Sequence, residues 1–166
     1  MIIRDAAYAD LVTVAALMRD DDRREILAGR FDDDLLALAD DLWRARPRFL
    51  ELKALCAEAD VPVAIIGAAL LWPGVASVIM FATDNWPSIA FAATRWVKRE
   101  AIPVILAPRC HRLQCEAWEE NRISRKWLLA LGFDEEGVRR SYGKGGEHFV
   151  MYGRLTSWGE EELTGE

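Results

Sequence analysis

Apolar residues open the chain as Ile2-Ile3, a short strand signal, and then recur as Leu11, Val14, Leu17 and Met18, one face of a helix that Asp10 would cap. The period breaks over residues 20–34, which are dense in Asp and Arg and read as a solvated stretch. Leu35, Leu36, Leu38, Leu42 and Trp43 restore helical spacing, so a second helix should precede Pro47. From Lys53 the period shortens to two. Leu55, Ala57 and Ala59 alternate with polar Glu58, Asp60-Val61-Pro62 supplies a turn, and the apolar run Val63 to Trp72 completes a hairpin. After Pro73-Gly74, Val75 to Thr83 is apolar on both faces and therefore predicts a central strand of a covered sheet.

Ser88 stands where it can cap a helix through Phe91, Thr94, Arg95 and Val97, which Pro103 should end or kink for want of an amide donor. Leu113 to Trp118 is the next strand. A last helix starts at Asn121, turns Ile123, Trp127, Ala130 and Leu131 to the core, and has Gly132 at its C-terminal end. Val138 to Tyr142 and His148 to Leu155 would pair across Gly143-Lys144-Gly145-Gly146. The order is β, α, α, β, β, β, α, β, α, β, β, with no internal repeat and no linker. Residues 1–156 read as one domain, and residues 157–166 as an acidic, mobile tail.

Composition narrows the function classes. A length of 166 residues, 52% of them hydrophobic, suffices for one continuous core, and seven tryptophans argue for packing rather than disorder. The net charge of −6 repels phosphate backbones, so nucleic acid is not an expected partner. Cys56, Cys110 and Cys115 are an odd number without framework spacing, which suits a reducing cytoplasm. No signal-peptide pattern opens the chain, and the apolar run Val61 to Val75 is too short and interrupted to span a bilayer, so a soluble, unprocessed protein is expected. Cys110-His111 with Cys115 lacks a four-ligand set at zinc spacing, so no metal is assigned.

The stretch Glu120-Asn121-Arg122-Ile123-Ser124, then Leu131-Gly132-Phe133 and Glu136-Gly137, resembles in identity and spacing the Rim-type ribosomal-protein and peptide N-acetyltransferases of the GNAT (GCN-related N-acetyltransferase) superfamily. The strand order extends the resemblance from Ile2-Ile3-Arg4 to Met151-Tyr152. It implies an α/β (α+β) domain with a mixed, mostly antiparallel sheet of about seven strands and helices on both faces. Phe81-Ala82-Thr83-Asp84, followed by a helix and the Asn121-to-Phe133 segment, also resembles the GNAT-like internal virion proteins of short-tailed phages. That likeness implies a catalytically silent assembly protein, with phage structural proteins as partners and the virion as its location.

The enzyme resemblance implies acetyl-CoA as cofactor and an amine or peptide as acceptor. Pantetheine would lie where the strands Val78 to Thr83 and Leu113 to Trp118 splay. Main-chain groups of Phe81 and Ala82 would contact it, and Asn121 and Ser124 would reach its amide and phosphate oxygens; Asn121 also suits a plain helix cap. Glu116 is the candidate general base. Trp86, Trp118 and Trp127 suit either an acyl or substrate slot or the core. Two features depart from the enzyme pattern. The phosphate turn Asp84-Asn85-Trp86-Pro87-Ser88-Ile89-Ala90 has no glycine, loses a donor at Pro87 and brings a like charge at Asp84, and two lost charge-assisted bonds weaken binding by roughly two to four orders of magnitude. Arg95, Lys98 and Arg99 are the cations near enough to compensate. The position seven residues after Asn121, where such enzymes often carry a proton-donating tyrosine, is Leu128.

Overall fold

Seven strands pair in the order β1-β2-β3-β4-β5-β7-β6 in the computed structural model, which describes residues 1–156. They are β1 (Ile2–Asp5), β2 (Phe49–Cys56), β3 (Pro62–Trp72), β4 (Gly74–Ala82), β5 (Cys110–Trp118), β6 (Asp134–Arg139) and β7 (Phe149–Leu155). Every pairing is antiparallel except β4 with β5. The acidic tail expected at residues 157–166 lies outside the described residues.

Helices cover both faces of the sheet. On one, α1 (Tyr8–Ala16) and α3 (Leu35–Ala45) bury Leu11, Val14, Leu38 and Ala39 against Ala54, Ile65 and Phe81. On the other, α4 (Ala90–Trp96) and α5 (Arg122–Ala130) pack around Leu113, Leu128, Leu131 and Tyr152. Strand alternation sends Ile65 and Phe81 to the first face and Ala64 and Ala82 to the second. The chain is therefore a single α/β domain.

Several local expectations change. Asp10 is not the cap of α1: it sits in the first turn and reaches back to accept from the Ala7 amide at 2.7 Å while pairing with Arg4 at 2.6 Å. Residues 20–34 are not simply a solvated stretch, because Asp20–Ala28 forms α2, whose Asp22 is 1% exposed. Ser88 does not cap α4, which starts two residues later; its hydroxyl donates to the Asn85 carbonyl at 2.8 Å. Pro103 does not end the helix, since Val97–Leu106 continues α4 as a wider π-helical stretch around the missing donor. The last hairpin begins earlier than its pattern suggests, with β6 starting at Asp134 and Val138 opposite Val150.

The end of α5 behaves as expected. Gly132 has φ +83°, and the Arg154 guanidinium donates to the Leu131 carbonyl beside it. A Cβ at Gly132 would carry the left-handed penalty and sit 3.1 Å from Arg154. Gly132→Ala should therefore lower stability by about 1–2 kcal/mol, read from urea unfolding midpoints at unchanged slope.

Candidate functional site

β4 and β5 run in parallel only at their first residues, with partners from Gly74↔Cys110 to Ser77↔Gln114. Beyond these the strands part, and the edges Val78–Ala82 and Cys115–Trp118 face each other across a gap. A cleft of about 350 Å³ runs through it, lined on one side of the sheet by Leu38 and Leu42 and on the other by Trp96, Ile102 and Trp127. Val78, Ile79 and Met80 are only half-buried in mid-sheet because they border this cleft. Its exposed lining residues, Gly29, Glu116 and Tyr142, put the mouth beside the end of α2.

The first turns of α2 close the far end of the splay. Arg19, just before the helix, donates its amide to the Ala82 carbonyl at 2.9 Å. Asp22 accepts from the Ala82 amide at 2.9 Å and pairs with the Arg19 guanidinium through bonds of 2.8 and 2.9 Å. One turn on, Glu25 Oε2 accepts from the Trp118 amide at 2.8 Å and from Asn121 Nδ2 at 3.1 Å. Asn121 Nδ2 also lies 3.4 Å from Asp22 Oδ1. Two carboxylates spaced i, i+3 on one helix face thus bridge β4, β5 and α5.

Burial is the largest influence on Glu25 and pushes its carboxyl up to about 7; the Trp118 amide opposes the rise, and the like charge of Asp22 adds to it. Cys115, in the same wall, is a free thiol that burial pushes up, with the Glu25 and Glu116 charges adding. It stays a protonated, inert lining group.

The residues singled out from the sequence fall around this gap. Ala82 turns its amide and carbonyl into it. Phe81, one residue away, faces β3 by alternation, as the bond from the Thr83 amide to the Val63 carbonyl at 2.8 Å shows for that edge. Asn121 is fully buried and caps α5, its Oδ1 accepting from the Ser124 amide at 3.2 Å. Ser124 lines the cleft. Glu116 stands at the mouth and is bound to Arg139 at 2.6 Å. Arg19, Asp22 and Glu25 were not anticipated. A signal existed, since Asp22, Glu25, Ile26 and Gly29 share one helical face within the charged run; the last three line the cleft and Asp22 holds its edge.

The phosphate turn is closed on itself. The amides of Trp86, Ser88 and Ile89 donate to the Thr83, Asn85 and Trp86 carbonyls at 3.0 Å each, the Asn85 amide donates to Thr83 Oγ1 at 3.3 Å, and Pro87 has none. Trp86 is 5% exposed and packs edge-on to Trp127 at 5.4 Å, and Trp127 Nε1 donates to Thr94 Oγ1 at 2.8 Å, tying α5 to α4. The amides of Asn85, Trp86, Ser88, Ile89, Ala82 and Trp118 and the Asn121 side chain are thus engaged by the chain itself. In this conformation these groups are not free to hold a coenzyme A phosphate or pantetheine. Among the described residues no three His, Cys, Asp or Glu side chains converge to hold a metal, and no helix is long and apolar enough to cross a membrane.

Strand order, the splay between β4 and β5, and helices on both faces define the GNAT fold. The chain is similar over 94% of its length to 98% of a phosphinothricin N-acetyltransferase structure described as putative (TM-score 0.69, 16% identity). It is similar over 93% of its length to 99% of ribosomal-protein-alanine N-acetyltransferase from Brucella melitensis (TM-score 0.67, 19% identity). A spermidine N-acetyltransferase variant from Vibrio cholerae matches 98% of this chain and 99% of its own (TM-score 0.71, 14% identity). At these identities the likeness is one of fold. No family model and no curated protein sequence matches the chain. The comparisons lend no support to the phage virion resemblance.

Proposed function

We propose that this chain is an acetyltransferase-like protein of GNAT fold in which α2 has taken over the cofactor side of the cleft, while the acceptor side remains as a binding site for a small amine or peptide amine. The observation that carries this reading is the double carboxylate bridge: the Ala82 and Trp118 amides and the Asn121 side chain already serve Asp22 and Glu25. Each charge-assisted bond a cofactor would have to displace contributes about 1.5–3 kcal/mol, and the closed turn from Asn85 to Ile89 offers no amide in return. Calorimetric titration with millimolar acetyl-CoA, with Asn121→Ala as control, should give no saturable heat and no rise in melting temperature. Micromolar binding abolished by Asn121→Ala would overturn the reading.

A second reading, acetyl-CoA-dependent N-acetyl transfer to an amine or peptide, is favoured by the splay itself and by the fold likeness. In it Phe81, Ala82, Asn121 and Ser124 hold the cofactor and Glu116 serves as the base. It requires α2 to withdraw from both strands and Glu116 to leave Arg139. Thiol release from acetyl-CoA over an amine panel, above background for the wild type or for Asp22→Asn/Glu25→Gln, would establish it.

A further inference from the structure

We infer that the cleft binds a primary ammonium carrying an apolar chain, the ammonium on Glu25 and the chain between β4 and β5, where a pantetheine arm lies in a coenzyme-binding GNAT protein. This rests on the first reading above for the displaced cofactor and goes beyond it, placing an amine in the pantetheine space itself, apart from any on the acceptor side. It also gives the space between the strands a new occupant.

Most charges lining the cavity are already paired. Glu51 and Lys53 pair with each other at 2.9 Å, and Glu116 pairs with Arg139 at 2.6 Å. Glu25 differs. Both of its bonds fall on Oε2, and among the described residues no donor reaches Oε1 and no cation makes an ion pair with it. Arg19, the nearest guanidinium to enter its electrostatics, is committed to Asp22 through two bonds. The charged and titratable groups facing Glu25 are Asp22 and Arg19 at the start of α2 and Cys115 on β5. Their sum is a desolvated carboxylate with an open oxygen and no counter-ion of its own, which a cation bearing N–H donors completes.

Beyond Glu25 the cleft is made of Leu38, Leu42, Val78, Leu113 and Trp127. Its volume of about 350 Å³ lies within the range of small-molecule sites. A hydrated small cation gains nothing from such walls, and a polyamine would bury a second charge among them. An alkylammonium satisfies both ends.

The test is calorimetric titration of the full chain at pH 8 with hexylamine, against hexan-1-ol, hexanoate and methylamine, with no coenzyme present. Hexylammonium should bind one to one, at least tenfold more tightly than the alcohol, the acid or methylammonium, and at least tenfold more weakly at pH 5.5, where Glu25 is protonated. Glu25→Gln should lose at least tenfold in affinity, while Glu58→Gln, an exposed carboxylate outside the cleft, should keep it. A carbon-13 carboxyl titration of Glu25 in the wild type gives a second readout: bound amine should lower the midpoint of ionisation. Equal binding of alcohol and amine, unchanged affinity in Glu25→Gln, an unmoved midpoint, or no binding at all would each overturn the inference. Because coenzyme is absent, these outcomes are independent of whether acetyl-CoA binds.

Discussion

Replacing Asp22 by alanine should cost the fold about 3–5 kcal/mol, the usual penalty for breaking a buried ion pair from one side. Asp22 is 1% exposed and its partner Arg19 is 8% exposed, so the guanidinium left behind has no water to turn to. The same change removes the acceptor from the Ala82 amide, 2.9 Å away, at a strand edge that no neighbouring strand covers. Against a total stability of about 5–15 kcal/mol for an ordinary domain, the loss is large. Asp22→Asn should fall between the two, because its side-chain oxygen still accepts from Ala82 while the ion pair is gone. Urea unfolding of the three proteins checks the order. A loss under about 1 kcal/mol for Asp22→Ala would mean that α2 rests on the splay without holding it.

Much of the fold was legible because its signals are local and periodic. The apolar run of β4, the helical period of α5 and the glycine after it each state their structure within about ten residues; the structure keeps the strand, the helix and the glycine, but α5 turns Ser124 and Leu128 to the core and leaves Ile123 and Ala130 exposed. Boundaries moved where a distant group won. Asp10 gives up the cap position because Arg4 and the Ala7 amide hold its carboxylate, and α4 passes Pro103 because a π-helical stretch absorbs the absent donor. The cleft was legible from one side only. Asn121, Ser124 and Ala82 are named by their place in a pattern, but α2 shows only charge in sequence, and charge in a run of Asp and Arg reads as solvent. What puts Asp22 and Glu25 inside is a need that arises 60 and 93 residues away, at the unpaired amides of Ala82 and Trp118.

On the first reading, that need is also what lets a GNAT fold keep its splay without its cofactor. A parted pair of strands exposes amides and carbonyls that must be satisfied by ligand, water or protein. At the far end of the splay the protein supplies partners for Ala82 and Trp118, through two carboxylates and one amide of α2 and its lead-in residue. On the first reading, the far end of the splay needs no bound molecule to complete it.

Supplying those groups leaves one charge uncompensated, and its effect should appear as an unusual dependence of stability on pH. Folded Glu25 holds its proton up to about pH 7, whereas the unfolded side chain releases it near its ordinary 4.5. Below pH 4.5 both states are protonated and the contribution of this group to stability is fully present. Between 4.5 and 7 only the unfolded state ionises, so stability falls as pH rises, by an amount on the order of 3 kcal/mol when the window has been crossed. Asp10 acts in the opposite sense: the Arg4 guanidinium holds its carboxyl below 3.8, so its contribution is present above that value and is lost in acid. The two windows barely meet, and comparison with Glu25→Gln separates them. The variant should match the wild type in acid and exceed it by up to about 3 kcal/mol at pH 8, since glutamine still accepts from the Trp118 amide and carries no buried charge. Parallel profiles for the two proteins between pH 4.5 and 8 would show that Glu25 is ionised at no cost in the folded chain. Wild type saturated with an alkylammonium should recover most of the loss at pH 8, because the ligand binds the ionised folded form and supplies the counter-ion that the chain itself lacks.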